Sequence, residues 1–395
     1  MINERKLLME KKNRLKILFI ASWYPSKKNP VNGIFIQEHA KAVSLYNDVI
    51  VLYSEVIDHS IKNFFKIENN IEDGIRTLRL HYRRSPIPKT TYFIYLWSIF
   101  KGFRKLIHEG WKPDIIHAHV YSAGVPAIII GKLYKIPVVI TEHWSGFPRH
   151  MLGKFGTLKA RFSMNRAKII LPVSKDLENA IKSYGIKNKF KIVPNVVNTK
   201  IFYPLSQKTN NKIKKMLFVA LLSPIKGIPY LFQSLVQLRQ KRQDFVLDVV
   251  GDGPNREEYK KLSKELGLEG IVKFHGLKTK LEIAEFMRNS DFFVLPSLWE
   301  NLPCVLIEAM ASGLSVIASN VGGISEILNK ENGILIQPKD IVGLSKAINY
   351  MLDHYKDYSS EKISQYAKEN FSYEAVGEKI DKIYKEAIYE NNTSK

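Results

Sequence analysis

Glu300 and Glu308 stand eight positions apart in Ser297-Leu-Trp-Glu300-Asn-Leu-Pro-Cys-Val-Leu-Ile-Glu308-Ala-Met-Ala-Ser-Gly-Leu-Ser-Val-Ile-Ala-Ser319, between two apolar runs. An ionised carboxylate only accepts hydrogen bonds, and two such groups can face one ligand. The spacing alone means little, since such pairs are common; the flanking sequence gives it weight. Lys226-Gly227 supplies a cation beside a flexible turn, which in isolation reads as a solvated loop. His117 and His119 are two residues apart, so an extended strand turns both rings to one side and does not tell them apart. Asn32-Gly33 by itself is only a turn signal.

These groups need elements to hold them. Phe292-Phe-Val-Leu-Pro296 predicts a buried strand, and Pro303 suits the first turn of a following helix, where its missing N–H costs nothing. Glu300 then lies in the strand-to-helix loop and Glu308 more than a turn into the helix. In open α/β sheets ligands bind at that carboxyl end, with phosphates on the helix N-terminus. Further strands are predicted at Lys16–Ala21, Asp48–Tyr53, Ile75–Leu80, Asp114–His117, Pro137–Thr141 and Ile169–Val173. A second series follows at Met216–Ala220, Phe245–Val250, Val272–Phe274, Asp291–Pro296 and Ser315–Ala318. The alternation with helical segments implies parallel sheets with helical crossovers. Pro194–Pro204 and the polar stretch Ser206–Lys215 separate the two series, which places the domain boundary there. From Phe371 onward Val376, Ile380, Ile383, Tyr384 and Ala387 repeat with helical period.

The joint pattern strongly resembles the retaining glycosyltransferases of family 4. It carries their Glu-x7-Glu block, the Lys226-Gly227 segment, the Val250-Gly251-Asp252-Gly253-Pro254 turn and the His275-Gly276 loop. Val321-Gly322-Gly323, Asn32-Gly33, the Asp-x-x-His-x-His strand end at Asp114–His119, Val173-Ser174 and Pro194-Asn195 match as well. The resemblance implies an α/β chain of GT-B fold, two Rossmann-like domains with parallel sheets facing across a cleft. Residues 1–200 would form an acceptor domain and 201–370 a nucleotide-sugar donor domain. Residues 371–395 would be a helical segment packing back on the first.

By the same resemblance His119 is the catalytic histidine facing the reacting centre, and Gly33 lets backbone approach a phosphate. Lys226 neutralises the leaving diphosphate, Glu300 meets the donor sugar's hydroxyls and Glu308 accepts from the ribose. Gly251, Gly253, His275, Asn301, Leu302, Cys304 and Val305 complete the donor site. The implied reaction is retaining transfer of a hexosyl or N-acetylhexosaminyl group. The donor is a nucleotide-diphosphate sugar, UDP-sugar before GDP-mannose. The acceptor is a glycan or a lipid-linked molecule of cell-surface polysaccharide synthesis, as in capsule or lipopolysaccharide. Two departures stand out. Leu221 occupies the place of a frequent second phosphate cation, and Pro303 replaces a frequent glycine and removes one N–H.

No Asp-x-Asp triplet occurs and the ten histidines show no metal-ligand spacing, so no metal or other cofactor is expected. A sugar-nucleotide epimerase of the same fold is the main alternative, but the acid/base carboxylate cluster it needs is not evident. A nucleic-acid-binding protein is the third reading, and it rests on charge alone.

Charge is uneven. Residues 1–205 hold 34 Lys+Arg against 14 Asp+Glu, whereas the remainder holds 26 against 24. Nearly all of the net +22 thus belongs to the first half, pointing to an anionic partner such as a membrane surface. Arg83–Lys105 has an aromatic centre between basic flanks. It reads either as an interfacial element or as a buried helix, or as both where one end stays exposed. A single cysteine suits a reducing compartment. No signal peptide or membrane-length apolar run is apparent, so a cytoplasmic protein at the inner membrane face is expected, with no nucleic-acid partner.

Overall fold

The computed structural model describes residues 14–26, 29–57, 64–87, 90–205 and 212–393. The chain divides into two compact units, Met1–Pro194 with Tyr373–Lys395, and Asn195–Ser372. Part of the polar stretch expected between the domains, 206–211, lies outside the described residues.

In the first unit the elements run β1 (Lys16–Ala21), α1 (Ile34–Ser44), β2 (Asp48–Val56), β3 (Phe65–Glu72), β4 (Ile75–Tyr82), α2 (Thr90–His108) and β5 (Ile115–His119). Then come α3 (Tyr121–Tyr134), β6 (Val138–Glu142), α4 (Lys154–Met164), β7 (Ile169–Pro172) and α5 (Lys175–Ser183). The sheet order is β3-β4-β2-β1-β5-β6-β7, parallel throughout except for β3 against β4. Ile17–Ala21 is wholly buried, as a strand covered on both faces must be. β3 escapes the sequence reading because its polar sequence, Phe-Lys-Ile-Glu-Asn-Asn-Ile-Glu, suits an edge. Its hairpin turn is Asp73-Gly74, both at positive φ, the geometry a two-residue loop requires.

The second unit continues with β8 (Lys214–Val219), α6 (Ile228–Arg239), β9 (Phe245–Val250), α7 (Arg256–Glu265), β10 (Val272–Gly276), α8 (Lys280–Arg288) and β11 (Phe292–Leu295). α9 (Cys304–Ala311), β12 (Ser315–Ser319), α10 (Ile324–Ile327), β13 (Gly333–Ile336), α11 (Ile341–His354) and α12 (Ser360–Phe371) complete it. Its six strands are all parallel in the order β10-β9-β8-β11-β12-β13. Both units are Rossmann-like. Helix ends follow side-chain chemistry: Thr279 and Glu282 form a reciprocal capping box at the start of α8. Pro303 sits one residue earlier than expected, as the cap of α9 rather than in its first turn (φ −71°, ψ 123°).

α13 (Tyr373–Thr393) belongs to the first unit and packs on α1, burying Val376, Ile380, Ile383, Tyr384 and Ala387. Helix α2 spans much of Arg83–Lys105. Ser98, Ile99, Gly102, Phe103 and Leu106 are buried, while Phe93 and Trp97 are exposed.

Candidate active site

In the second unit, β8 leads into a short 3-10 turn, Pro224–Lys226, closed by Gly227 at φ +72°. A Cβ there would lie 2.0 Å from the Pro296 carbonyl oxygen, so only glycine lets this turn reach the chain after β11. Leu298 N–H donates to the Ile225 carbonyl at 2.7 Å and fixes the two loops together. The result places Lys226 Nζ 2.6 Å from Glu300 Oε1, and Ser297 Oγ donates to the same oxygen at 2.7 Å. Both members of the ion pair are largely buried, at 17% and 9% side-chain exposure. A pair so withdrawn from water is held by the surrounding loops rather than by Coulomb attraction alone.

Two further glycine turns pack against the chain that follows β8. Gly251, at φ +130°, donates its N–H to the Gly276 carbonyl at 2.8 Å, and a Cβ on it would meet the Ala220 carbonyl oxygen at 1.9 Å. Gly253 lies against the Leu222 backbone, while Leu222 N–H donates to the Asp252 carbonyl at 2.9 Å. After β12, Gly323 N–H donates to the Asn301 carbonyl at 2.6 Å, and Asn195 Nδ2 donates to the Leu302 carbonyl at 2.7 Å. Val305 stands in the first turn of α9, half-buried Cys304 opens that helix and half-buried Glu308 is its fifth residue. Lys226, Glu300 and the glycine turns thus meet at the carboxyl ends of β8, β9 and β11.

His275 is placed differently. Its Nε2 lies 2.7 Å from Asp248 Oδ1 and its ring packs 4.6 Å from Phe286 of α8. The ring borders a 440 Å³ cavity with Lys215, Lys273 and Lys278, while the backbone of Gly276, not the imidazole, joins the Gly251 turn. Leu221 is exposed and carries no charge, so the second cation is missing at that position.

In the first unit, Gly33 begins α1 at φ +70°, and a Cβ would lie 2.5 Å from the Trp23 carbonyl carbon and oxygen. Both candidate histidines are fully buried, and their surroundings separate them. His117 is engaged at both nitrogens, Nδ1 with Tyr384 Oη at 2.6 Å and Nε2 with Thr141 Oγ1 at 2.6 Å. His119 Nδ1 lies 3.2 Å from His143 Nε2, and its own Nε2 has no hydrogen-bond partner. Burial, then the neighbouring imidazoles, hold His119 well below the usual histidine range, so it is neutral at pH 7. Val120, which follows it, has φ +73°, a conformation β-branched residues rarely adopt, and its N–H donates to the Thr141 carbonyl at 2.8 Å.

Sequence reasoning missed several neighbours. His39 on α1 directs Nε2 to the Pro194 carbonyl at 3.0 Å, and burial pushes it down to about 4. Glu142, at the end of β6, is fully buried and accepts from the N–H groups of Tyr121, His143 and Trp144, each at 2.9 Å. Burial raises its carboxyl to about 7 against those three donors. No local signal marks either residue, because each gains its surroundings from strands and helices distant in sequence.

Residues 58–201 match the family model for Glycosyltransferase Family 4, and residues 199–370 match that for Glycosyl transferases group 1. TuaC of Bacillus subtilis (strain 168), named for teichuronic acid biosynthesis, is 28% identical over 359 residues, 85% of this chain and 88% of its own. The Staphylococcus aureus protein CapJ is 29% identical over 262 residues, 64% of this chain and 65% of its own. Among solved structures, sucrose-phosphate synthase from Thermosynechococcus elongatus superposes with a TM-score of 0.76 at 21% identity, covering 94% of this chain and 99% of that one. Anabaena HepE in complex with UDP gives 0.73 at 20% identity over 94% and 100%. These structures share the two-domain GT-B fold. Residues 58–201 and 199–370 thus carry adjoining Glycosyltransferase Family 4 and Glycosyl transferases group 1 domains, which supports a glycosyltransferase of the group-1, family-4 type.

Proposed function

We propose that this glycosyltransferase moves a hexose or N-acetylhexosamine from a nucleotide-diphosphate sugar to a glycan or lipid-linked acceptor during cell-surface polysaccharide synthesis. The observation that carries the reading is the Lys226–Glu300 pair, gathered with the Gly251 and Gly227 turns at the strand ends. Lys226 supplies a fixed cation for the leaving diphosphate, and preorganised charge of this kind needs no rearrangement as the leaving group develops its own. Glu300 and Glu308 are acceptor-only groups for sugar and ribose hydroxyls. With the Leu221 position empty of charge, backbone N–H groups at the start of α9 share the diphosphate with Lys226.

The transfer proceeds with retention. The bond from the anomeric carbon to the diphosphate oxygen breaks as the acceptor oxygen bonds from the same face, and the departing diphosphate takes the acceptor's proton. His119, neutral and deeply set, orients the donor rather than exchanging protons. No metal is needed for this scheme. A UDP-sugar is the favoured donor, since HepE was solved with UDP and with UDP-glucose, and GDP-mannose is the alternative. The names of TuaC and CapJ support the polysaccharide assignment.

A panel of nucleotides tested by thermal stabilisation identifies the base, because a ligand at about 100 times its Kd adds about 2.7 kcal/mol. NMR of the first-formed anomer then decides the stereochemistry. An inverted product, or epimerisation of free donor without transfer, would overturn the proposal.

A further inference from the structure

His39, His119 and His143 come from α1, the end of β5 and the residue after β6, with no linear spacing that announces them. One ring nitrogen of each lies within 4.8 Å of the others. The His39 and His143 rings are 5.2 Å apart and those of His119 and His143 are 5.5 Å apart, nearly parallel at 14°.

A hydrogen bond fixes which nitrogen of His39 can ligate. His39 Nε2 faces the Pro194 carbonyl, an acceptor, so it carries the proton and leaves the buried Nδ1, which has no partner, as a lone pair. A backbone carbonyl holding one imidazole nitrogen is the outer-shell arrangement that orients histidine toward a metal. His119 Nδ1 and His143 Nε2 lie 3.2 Å apart, close to the ligand spacing around a tetrahedral ion. Phe19 against His119 and Phe35 against His143, both at 4.5 Å, give the cluster apolar walls. Glu142 is turned away by its three backbone donors and does not compete as a ligand.

The geometry points to a binding site for one borderline divalent transition-metal ion, Zn²⁺ or Co²⁺, on His39, His119 and His143, with a fourth position left for water or an oxygen of a ligand. Three imidazole ligands favour such ions over Mg²⁺ and Ca²⁺, which demand oxygen donors. Binding involves no electron transfer. The proton shared between His119 and His143 moves to the ring nitrogen that is not ligating. The inference does not depend on the transfer reaction, because it concerns occupancy of the cluster alone.

The test uses the full chain freed of metal, titrated with ZnCl₂ by calorimetry and with CoCl₂ by visible absorption. One equivalent of zinc and the intense d–d bands of tetrahedral cobalt are expected. His143→Asn should weaken zinc binding about tenfold or more, while His108→Asn, at an exposed position on α2, should leave it unchanged. Absence of saturable zinc binding, weak octahedral cobalt bands, or equal affinity in His143→Asn overturns the site. Should His143→Asn lose its circular-dichroism signature of the fold, the cobalt spectrum of the unaltered chain decides alone.

Discussion

Lys226 and Glu300 share one hydrogen-bonded oxygen contact in a space with little water. On the proposed function, donor binding inserts phosphate beside that lysine and hydroxyls beside that carboxylate. Lys226→Ala should lower turnover by about 10²–10³-fold, the range seen when one preorganised donor to a developing anion is removed. Steady-state kinetics check this, with an exposed lysine such as Lys261 as control. Glu308→Ala should instead raise the donor KM, since ribose contacts are made equally before and during transfer. Gly227→Ala puts a methyl 2.0 Å from a carbonyl oxygen at φ +72°. It should destabilise the fold by about 1–3 kcal/mol in urea titration, even before activity is measured.

At the scale of elements, a buried hydroxyl ties α13 to β5, because Tyr384 Oη is the partner of His117 Nδ1. Tyr384→Phe keeps the packing against α1 yet strands a buried ring nitrogen, so it should lose about 1–3 kcal/mol of stability by chemical denaturation. The β3–β4 ribbon carries a pH-sensitive contact. His81 lies 3.3 Å from both Glu55 and Glu68, and these carboxylates, Glu55 foremost, hold its pKa above the ordinary histidine value of 6.5. A raised value in the folded state gives stability that is fully present below pH 6.5 and lost as pH rises through the folded pKa. The melting temperature difference between the unaltered chain and His81→Gln should therefore be largest near pH 5.5 and shrink toward pH 8.5. A difference that is constant across that range would refute the ion-pair account.

For the molecule as a whole, no helix among the described residues is long and apolar enough to cross a membrane. The surface of the first unit nevertheless joins charge to exposed apolar groups. Trp97, Phe100, Ile129 and Leu133 border an apolar groove of 250 Å³ between α2 and α3, with Lys101 Nζ over the Trp97 ring at 5.4 Å. We propose that this face rests on an anionic membrane, where each nearby Lys or Arg is worth about 1 kcal/mol and salt screens the attraction. Vesicles containing acidic lipid should retain the protein in two parts. One part is released by salt and weakened by changing Arg83, Arg84, Lys101, Arg104 and Lys105. The residual part is lost in Trp97→Ala. Failure to bind such vesicles at low ionic strength assigns the charge to a soluble anionic partner.

The sequence by itself determined the strand–helix alternation, two parallel sheets and the Glu300–Glu308 block, because buried parallel strands and their glycine turns impose local, periodic patterns. Even there, β3 and β13 went unseen, since a polar edge strand and a four-residue run carry little period. Only the tertiary structure gave His117 and His119 different surroundings. Strand alternation sends both rings to one side, but Tyr384 and Thr141 occupy the first, whereas the second keeps an unpartnered nitrogen. It also turned the His275 ring toward Asp248 and brought His39 and His143 beside His119. Contacts of that kind join residues about 25 to 270 positions apart, and no local pattern can encode a partner that folding alone brings near.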